Sequence, residues 1–428
     1  FGAVWFDRMP LLGDEPDQWM RIELGTSETR ELAAEEAPSG ADEVQADGVD
    51  GELWQSARDP ASDRVAVLIR VGDAPGQMFA PDVQLSVLGD GRGRRIATCT
   101  SALCTGQSIT RIHWRPGGDE VVFVTTDPQR GQAQSIRLWD VSTGEVREVV
   151  QAQGLLSGGR SAGQECAVSA DAWVCVAAEA DRPPRLERID LDTGTRHVLF
   201  EPNQALAQDM ARSAPARLLR WEDARGRRFS GHLFPARGVG DSPAPLFITY
   251  YNCAGFLRGG VGDEWPLATL AQAGISALCI NRLPGYTMDA VERYGEGLAA
   301  VESVVDHLAA AGEIDRSRVG MGGLSFGTEV ALWTATESDL LAAASVANPV
   351  ATPLYYLLGS MRGDVFLDSL RDMWGLGAPE DTPERWQALS PVFKLDRIRA
   401  PILFQHSEQE YMYALEYTVP LLRKNRAE

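Results

Sequence analysis

The stretch from Ile314 to Trp333, IDRSRVGMGGLSFGTEVALW, decides how the second half of the chain folds. A short apolar run ends in glycines, and a helical pattern begins at Thr328. Between them Gly323-Leu324-Ser325-Phe326-Gly327 forms a G-x-S-x-G motif on a predicted strand-to-helix turn, the setting of a nucleophile elbow. Such a turn strains and exposes the serine, and makes the N–H of Phe326 a candidate oxyanion donor. The alternative is a glycine-rich turn with an idle serine.

Length and charge narrow the classes of function. With 428 residues the chain is long enough for two domains. Its formal net charge of −20 argues against nucleic acid or an anionic membrane as a partner, since both require a basic surface. No run approaches about 18 consecutive apolar residues, so we predict no membrane span. Five scattered histidines and no C-x-x-C spacing predict no metal site, and we expect no cofactor.

The six cysteines are arranged in three groups along the chain. Two pairs are close in sequence in the first half, and the other two cysteines lie on or beside predicted buried strands. For the first four we favour two local disulfides in a periplasmic or otherwise exported protein. Reduced core thiols in a cytoplasmic protein are the alternative. In chain order they are Cys99 and Cys104, Cys166 and Cys175, then Cys253 and Cys279.

Residues 1–205 have the pattern of short strands separated by turns. The strand that ends at Asp140, with the turn that follows, recurs at Asp190, an offset of 50 residues. This period suits four-stranded blades, so we predict a β-propeller in preference to a two-sheet sandwich. A region of this length holds only about four such blades. We therefore expect N-terminal blades to be missing from a partial propeller.

A different pattern follows the propeller region. Residues 206–244 are predicted to form a crossover hairpin and a linker. In residues 245–428, continuous apolar strands alternate with helices, which is typical of a doubly wound α/β domain. The serine motif lies in the middle of this second domain.

A serine nucleophile needs an acid and a base. In this arrangement the acid follows a strand beyond the elbow, and Glu410, after the strand that ends at His406, is the predicted acid. We favour it over Glu408; the alternative is that both are surface carboxylates. No histidine follows His406. We therefore expect the catalytic histidine beyond Glu428, and the chain as given to be nearly inert.

The loop that follows strand 246–251 is predicted to supply the second oxyanion donor. Tyr251 lies at its start and is a candidate substrate contact. Arg258, Asp263 and Glu264 continue the loop. These three either contact substrate or pair with one another.

The motif, the blade-like turns and Ser390-Pro391-Val392 together resemble the prolyl oligopeptidase family of serine peptidases, which implies a β-propeller followed by an α/β-hydrolase domain. Within it, Tyr250 to Gly260, the segment 262–266 and Glu408 to Tyr411 are similar to the lasso peptide isopeptidases. In the wider family a loop tyrosine often donates to the oxyanion. Cys253 occupies that place here, a departure from the family pattern, and we name Cys253 as the candidate second donor while the sequence leaves the choice within the loop open.

The resemblance implies a peptidase that opens the macrolactam isopeptide bond of a lasso peptide through an acyl-enzyme. The implied partner is a small or threaded peptide, with no nucleic acid and no membrane. Two alternatives stay open. One is a dipeptidyl or acylaminoacyl peptidase acting on linear peptides, and the other is a non-catalytic propeller binding protein with a decayed hydrolase domain.

Overall fold

The computed structural model describes residues 20–22, 29–31, 51–71, 81–89, 94–160, 166–212, 215–238, 240, 242–257, 265–285, 287–347, 349, 352–354 and 364–405. Within these ranges no helix is long and apolar enough to cross a membrane.

The first half is built of consecutive antiparallel sheets. A small pair is formed by β1 (Met20–Ile22) and β2 (Thr29–Glu31). The next sheet contains β3 (Leu53–Arg58), β4 (Val65–Arg70), β5 (Val83–Leu88), β6 (Arg95–Thr98) and β7 (Thr105–Gln107). A four-stranded sheet follows with β8 (Ile109–Trp114), β9 (Glu120–Asp127), β10 (Ala133–Asp140) and β11 (Val146–Gln151). The last contains β12 (Ala167–Val168), β13 (Ala172–Glu179), β14 (Arg182–Asp190) and β15 (Arg196–Phe200), and α1 (Gln204–Ala211) follows.

The last three of these sheets stack face to face. Along β9 the side chains alternate: Val121 and Phe123 pack toward the preceding sheet, whereas Val122 and Val124 pack toward the following one. This alternation follows from the period of two along a strand. Because both faces of the middle sheet are buried, a two-sheet sandwich does not describe this half of the chain.

The repeated turn has the same structure in both copies. The Asp140 carboxylate accepts hydrogen bonds from the N–H groups of Ser142 and Thr143, and Gly144 follows with φ of 77°. Fifty residues later, the Asp190 carboxylate accepts from Asp192 and Thr193, and Gly194 has φ of 70°. The aspartate closes each turn and the glycine supplies the positive φ. The offset read from the sequence is therefore a repeat of local structure.

The second half is one seven-stranded sheet with the order β16-β17-β19-β18-β20-β21-β22. Its strands are β16 (Arg217–Glu222), β17 (Arg228–Phe234), β18 (Ala244–Tyr251), β19 (Ser276–Asn281), β20 (Ile314–Leu324), β21 (Ala343–Ala347) and β22 (Ile402–Gln405). Strands β18 to β22 are mutually parallel, and β17 joins them antiparallel to β19. The hairpin predicted as a crossover thus forms the first two strands of this sheet.

Helices cover both faces of the sheet. They are α2 (Leu267–Gln272), α3 (Ala290–Ala310), α4 (Phe326–Glu337), α5 (Asp364–Trp374) and α6 (Pro383–Ala388), with a 3-10 helix at Pro391–Arg397. The buried residues of α3 and α4 share one apolar core with β18 and β20, while those of α2 lie in a separate core. This places α4, which begins directly after Ser325, in the larger core.

Three disulfides are formed. The two local pairs, Cys99 with Cys104 and Cys166 with Cys175, are those predicted from spacing. A third joins Cys253, after β18, to Cys279 in β19. The sequence placed these two cysteines near buried strands without pairing them.

Candidate active site

Ser325 lies on the tight turn between β20 and α4. Its φ is 52°, and among the described non-glycine residues only Gln132 shares a positive φ. A left-handed backbone is costly for a residue with a side chain and is retained where the surrounding structure enforces it. Ser325 is also exposed. The strained turn therefore presents the hydroxyl at the sheet's edge.

The flanking glycines have no room for a side chain. A Cβ on Gly323 would lie 2.0 Å from the carbonyl carbon of Gly327. A Cβ on Gly327 would lie 2.3 Å from the carbonyl oxygen of Tyr250. Both contacts are with backbone atoms, which cannot swing aside as the end of a side chain can. The turn thus requires glycine at both positions.

Phe326, the first residue of α4, connects the turn to a group of aromatic rings. As a first helical residue it has no intrahelical acceptor for its N–H. Its ring centroid lies 5.3 Å from that of Tyr251, 5.8 Å from Tyr250 and 5.9 Å from Tyr294. These distances are within the range of favourable ring pairs. The packing holds the start of α4 in place.

One turn into α4 a carboxyl group lies among these rings. Glu329 accepts a 2.9 Å hydrogen bond from the Tyr294 hydroxyl. Burial raises the pKa of Glu329 to about 7, although the Tyr294 hydrogen bond and the charge of Arg293 act in the opposite direction. The desolvation of the charged form outweighs both partners. Nothing in our sequence analysis singled this residue out.

The loop after β18 does not offer Cys253 as an oxyanion donor. The N–H of Cys253 donates to Asn281 Oδ1 at 2.9 Å, its sulfur is bonded to Cys279, and the residue is fully buried. The prediction for Cys253 is therefore wrong in this structure, because its donor is used to hold the loop against β19. Asn281 was not predicted, and its position at the end of an apolar strand was the available signal.

The same loop is fixed to the antiparallel half of the molecule. Arg160 donates to the carbonyl oxygens of Ala254, at 2.6 Å, and Asn252, at 3.1 Å. Gly255 has φ of 65°, and a Cβ there would lie 2.3 Å from the Gly159 carbonyl oxygen. The two halves thus meet beside the end of β18.

A polar cavity of about 410 Å³ lies at this meeting point. The antiparallel half lines it with residues that include Gln107 and Gln132, and the parallel sheet contributes Tyr251, Asn252 and Arg282. In parallel α/β sheets ligands bind outside the carboxyl ends of the strands, where these last three residues lie. Because the Tyr251 ring also packs on Phe326, it connects the cavity to the serine turn.

The pairing of the parallel strands indicates where the segment that carries the predicted acid begins. Leu324, next to Ser325, pairs with Ala347, which pairs in turn with Gln405. Adjacent strands are about 4.8 Å apart, so Gln405 lies about 10 Å from Leu324 across the same edge of the sheet. Glu410 follows five residues later and lies outside the described residues. Arg258, Asp263 and Glu264 lie outside them as well.

Two of the described histidines, His113 and His232, are engaged elsewhere. The ring of His113 lies 5.4 Å from that of Trp173. His232 is buried beside Gly131, and burial lowers its pKa. Within the part of the chain that the structure describes, no group of three or more His, Cys, Asp or Glu residues is placed to hold a metal ion.

Comparison with known proteins bears directly on this site. Residues 296–424, which contain the serine turn and the segment that carries Glu410, match the model of the prolyl oligopeptidase family. The predicted family resemblance is confirmed. The match covers strands β20, β21 and β22 of the sheet and the helix α4 that packs on it.

Relatives extend the likeness to most of the chain. It is 26% identical over 358 residues to the lasso peptide isopeptidase AtxE2 of Asticcacaulis excentricus, covering 80% of this chain and 49% of that protein. The chain thus spans about half the length of this curated relative.

Solved structures also share the fold. An AtxE2 isopeptidase variant solved with Astexin3-dC4 bound has a TM-score of 0.74 at 22% identity, over 95% of this chain and 60% of its own. The acylaminoacyl peptidase of Pyrococcus horikoshii has a TM-score of 0.63 at 17% identity, over 94% and 58%. At these identities the likeness is one of fold.

Proposed function

We propose that this chain belongs to a serine peptidase that cleaves the isopeptide bond of lasso peptides through an acyl-enzyme. The observation that carries the proposal is the strained, exposed Ser325 between two glycines that admit no side chain. The sequence likeness to AtxE2, a lasso peptide isopeptidase, supports the substrate class.

In the proposed reaction Ser325 Oγ attacks the amide carbonyl, and a histidine outside the described residues takes its proton. Glu410 orients that histidine, as the acid of a catalytic triad does. The pairing of Leu324 with Ala347, and of Ala347 with Gln405, supports this role. It shows that the segment leading to Glu410 begins at the same edge of the sheet as Ser325. The histidine then protonates the leaving amine, and water releases the acyl group.

Two donors are proposed for the oxyanion. The first is the N–H of Phe326, at the positive end of α4. With the Cys253 N–H engaged, we assign the second to the Tyr251 hydroxyl. Tyr251 ends β18, lines the cavity and packs on Phe326.

The cavity supports a compact peptide as the substrate. It lies between the antiparallel sheets and the carboxyl ends of the parallel strands, so both halves of the molecule shape it. We propose that the stacked antiparallel sheets are blades of a β-propeller, which restricts entry to small or threaded peptides. The three disulfides support export from the cytoplasm, because such bonds persist in oxidising compartments and are rare in the cytosol.

The test incubates the complete gene product with a lasso peptide and follows the peptide by mass spectrometry. We expect a gain of one water with loss of the threaded topology, and no change with Ser325→Ala. A protein that leaves the lasso peptide intact and cuts linear peptides would instead be a general oligopeptidase, the function that the likeness to acylaminoacyl peptidase favours. A complete product with no histidine after Glu410 and no turnover would favour a binding protein.

A further inference from the structure

We propose that Glu329 is a positioning residue of this acyl-transfer site, which holds Phe326 through Tyr294 and slows acyl transfer when it ionises. The inference rests on the proposed serine chemistry at Ser325. It does not depend on the identity of the peptide substrate.

The first step is the chain of contacts from Glu329 to the oxyanion donor. Glu329 binds the Tyr294 hydroxyl at 2.9 Å, and the Tyr294 ring lies 5.9 Å from the ring of Phe326. Glu329 is also four residues after Ser325, whose carbonyl oxygen accepts its N–H at 3.3 Å. It is three residues after Phe326, an advance of about 4.5 Å along a helix, so the backbone of Glu329 lies about one turn from the N–H of Phe326.

The second step is the half-buried position of the Glu329 carboxylate among aromatic rings. Tyr294, whose hydroxyl binds the Glu329 carboxylate, also packs its ring against those of Trp333 and Trp374, with centroids 5.5 Å and 6.3 Å away. The cavity that Glu329 lines together with these rings has a volume of only about 10 Å³. That is the space of about one water molecule. This surrounding apolar surface disfavours the charged form and raises the pKa of Glu329 to about 7.

The third step concerns the other charges around Glu329. From α3, Arg293 favours ionisation, but its Nη1 donates to the carbonyl oxygens of Thr287 and Met373. From β18, Tyr250 is uncharged, since burial raises its pKa. From the 3-10 helix Pro391–Arg397, Lys394 is paired with Glu337 at 2.5 Å.

The consequence is a negative charge that develops close to the oxyanion as the pH rises. Because Glu329 and the oxyanion donor Phe326 lie on neighbouring turns of α4, the two negative charges repel at an effective dielectric of about 20, and we expect them to slow the reaction about tenfold. The neutral acid exerts no such repulsion and keeps its hydrogen bond to Tyr294. Ionisation of Glu329 thus opposes acyl transfer even as deprotonation of the base promotes it.

The experiment measures the rate at which a fluorophosphonate probe labels the complete gene product between pH 5.5 and 9. The probe reacts with an activated serine and needs no peptide substrate. The readout is the rate for Glu329→Gln divided by the wild-type rate at each pH, which cancels the titration of the base. Glu302→Gln is the control, because Glu302 is an acid on the neighbouring helix α3 whose pKa is also raised by desolvation, although its side chain is exposed.

We expect the Glu329→Gln ratio to be near one below pH 6 and to rise to about ten above pH 8, while the Glu302→Gln ratio stays flat. Tyr294→Phe keeps the ring but removes the hydrogen bond that lowers the Glu329 pKa. In Tyr294→Phe the loss of rate should therefore occur at a higher pH than in the wild type. This variant provides the test if Glu329→Gln does not fold.

Each outcome is decisive. A flat Glu329→Gln ratio, or an unmoved transition in Tyr294→Phe, with Ser325 labelled normally would overturn the positioning role and leave the serine chemistry standing. No labelling of the wild type at any pH would overturn the proposed function, and this inference with it.

Discussion

Gly327 fits against Tyr250 so closely that a Cβ on the glycine would lie 2.3 Å from the tyrosine's carbonyl oxygen. The contact joins the first turn of α4 to the end of β18, the strand that leads to the loop beside the site. The turn that strains Ser325 is therefore fixed by the backbone of a neighbouring strand.

Gly327→Ala should lower the free energy of unfolding by roughly 1–3 kcal/mol, because the added methyl group must push β18 or α4 aside. Labelling of Ser325 by a fluorophosphonate should fall with it. Gly295→Ala is the control, since a Cβ there meets no atom within 4 Å and the position lies within α3. That variant should be neutral or slightly more stable. Equal effects of the two variants in chemical denaturation would contradict a close contact at Gly327.

Tyr251→Phe should reduce kcat about 100-fold with little change in KM, since an oxyanion donor acts mainly in the transition state. The ring and its packing on Phe326 are retained, so the melting temperature should change little. Steady-state kinetics of the complete gene product measures both constants. An unchanged kcat would remove Tyr251 from the oxyanion site.

The disulfides should differ in their contribution to stability. Cys253 and Cys279 are 26 residues apart, whereas Cys99 and Cys104 are 5 apart. Loop entropy then predicts that replacing Cys253 and Cys279 by alanines lowers the free energy of unfolding by about 3.5 kcal/mol. Replacing Cys99 and Cys104 should lower it by about 2 kcal/mol. Urea unfolding of the two double variants measures the difference. The reverse order would show that loop length does not govern these bonds.

The stability contributed by Glu329 should fall as the pH rises. Its pKa is raised from 4.5 to about 7 in the folded protein, so between these values the folded state holds a proton that the unfolded state has lost. The destabilisation is absent below pH 4.5, grows through this interval and is complete above about pH 7. Relative to wild type, Glu329→Gln should gain on the order of 2 kcal/mol between pH 5 and pH 8, measured by thermal unfolding. A constant difference across that range would contradict a raised pKa at Glu329.

Much of the fold could be read from local patterns. The glycines, the apolar run before them and the helical pattern after them identified the turn at Ser325, because each reflects backbone geometry within a few residues. The repeat at Asp140 and Asp190 has the same local basis. The two short disulfides followed from sequence spacing alone.

The features that were missed depend on contacts between distant segments. The hairpin of β16 and β17 looked like a connection because its pairing partner, β19, lies some 45 residues further along the chain. The Asn281 side chain on β19 accepts a hydrogen bond from the N–H of Cys253, which follows the adjacent strand β18. The Tyr294 hydroxyl donates to Glu329 from another helix. No periodicity in the sequence encodes such pairs. A carboxylate in an otherwise apolar helix was the signal available for Glu329.

The measurement that tests the central claim most directly compares three substrates of the same amino-acid composition with the complete gene product: a threaded lasso peptide, its unthreaded branched isomer and the linear peptide. We predict that the isopeptide bond of the lasso peptide is hydrolysed, with a gain of one water. The linear peptide should not be cut, and Ser325→Ala should abolish the reaction. Faster cleavage of the linear peptide, or isopeptide cleavage that persists in Ser325→Ala, would contradict the account.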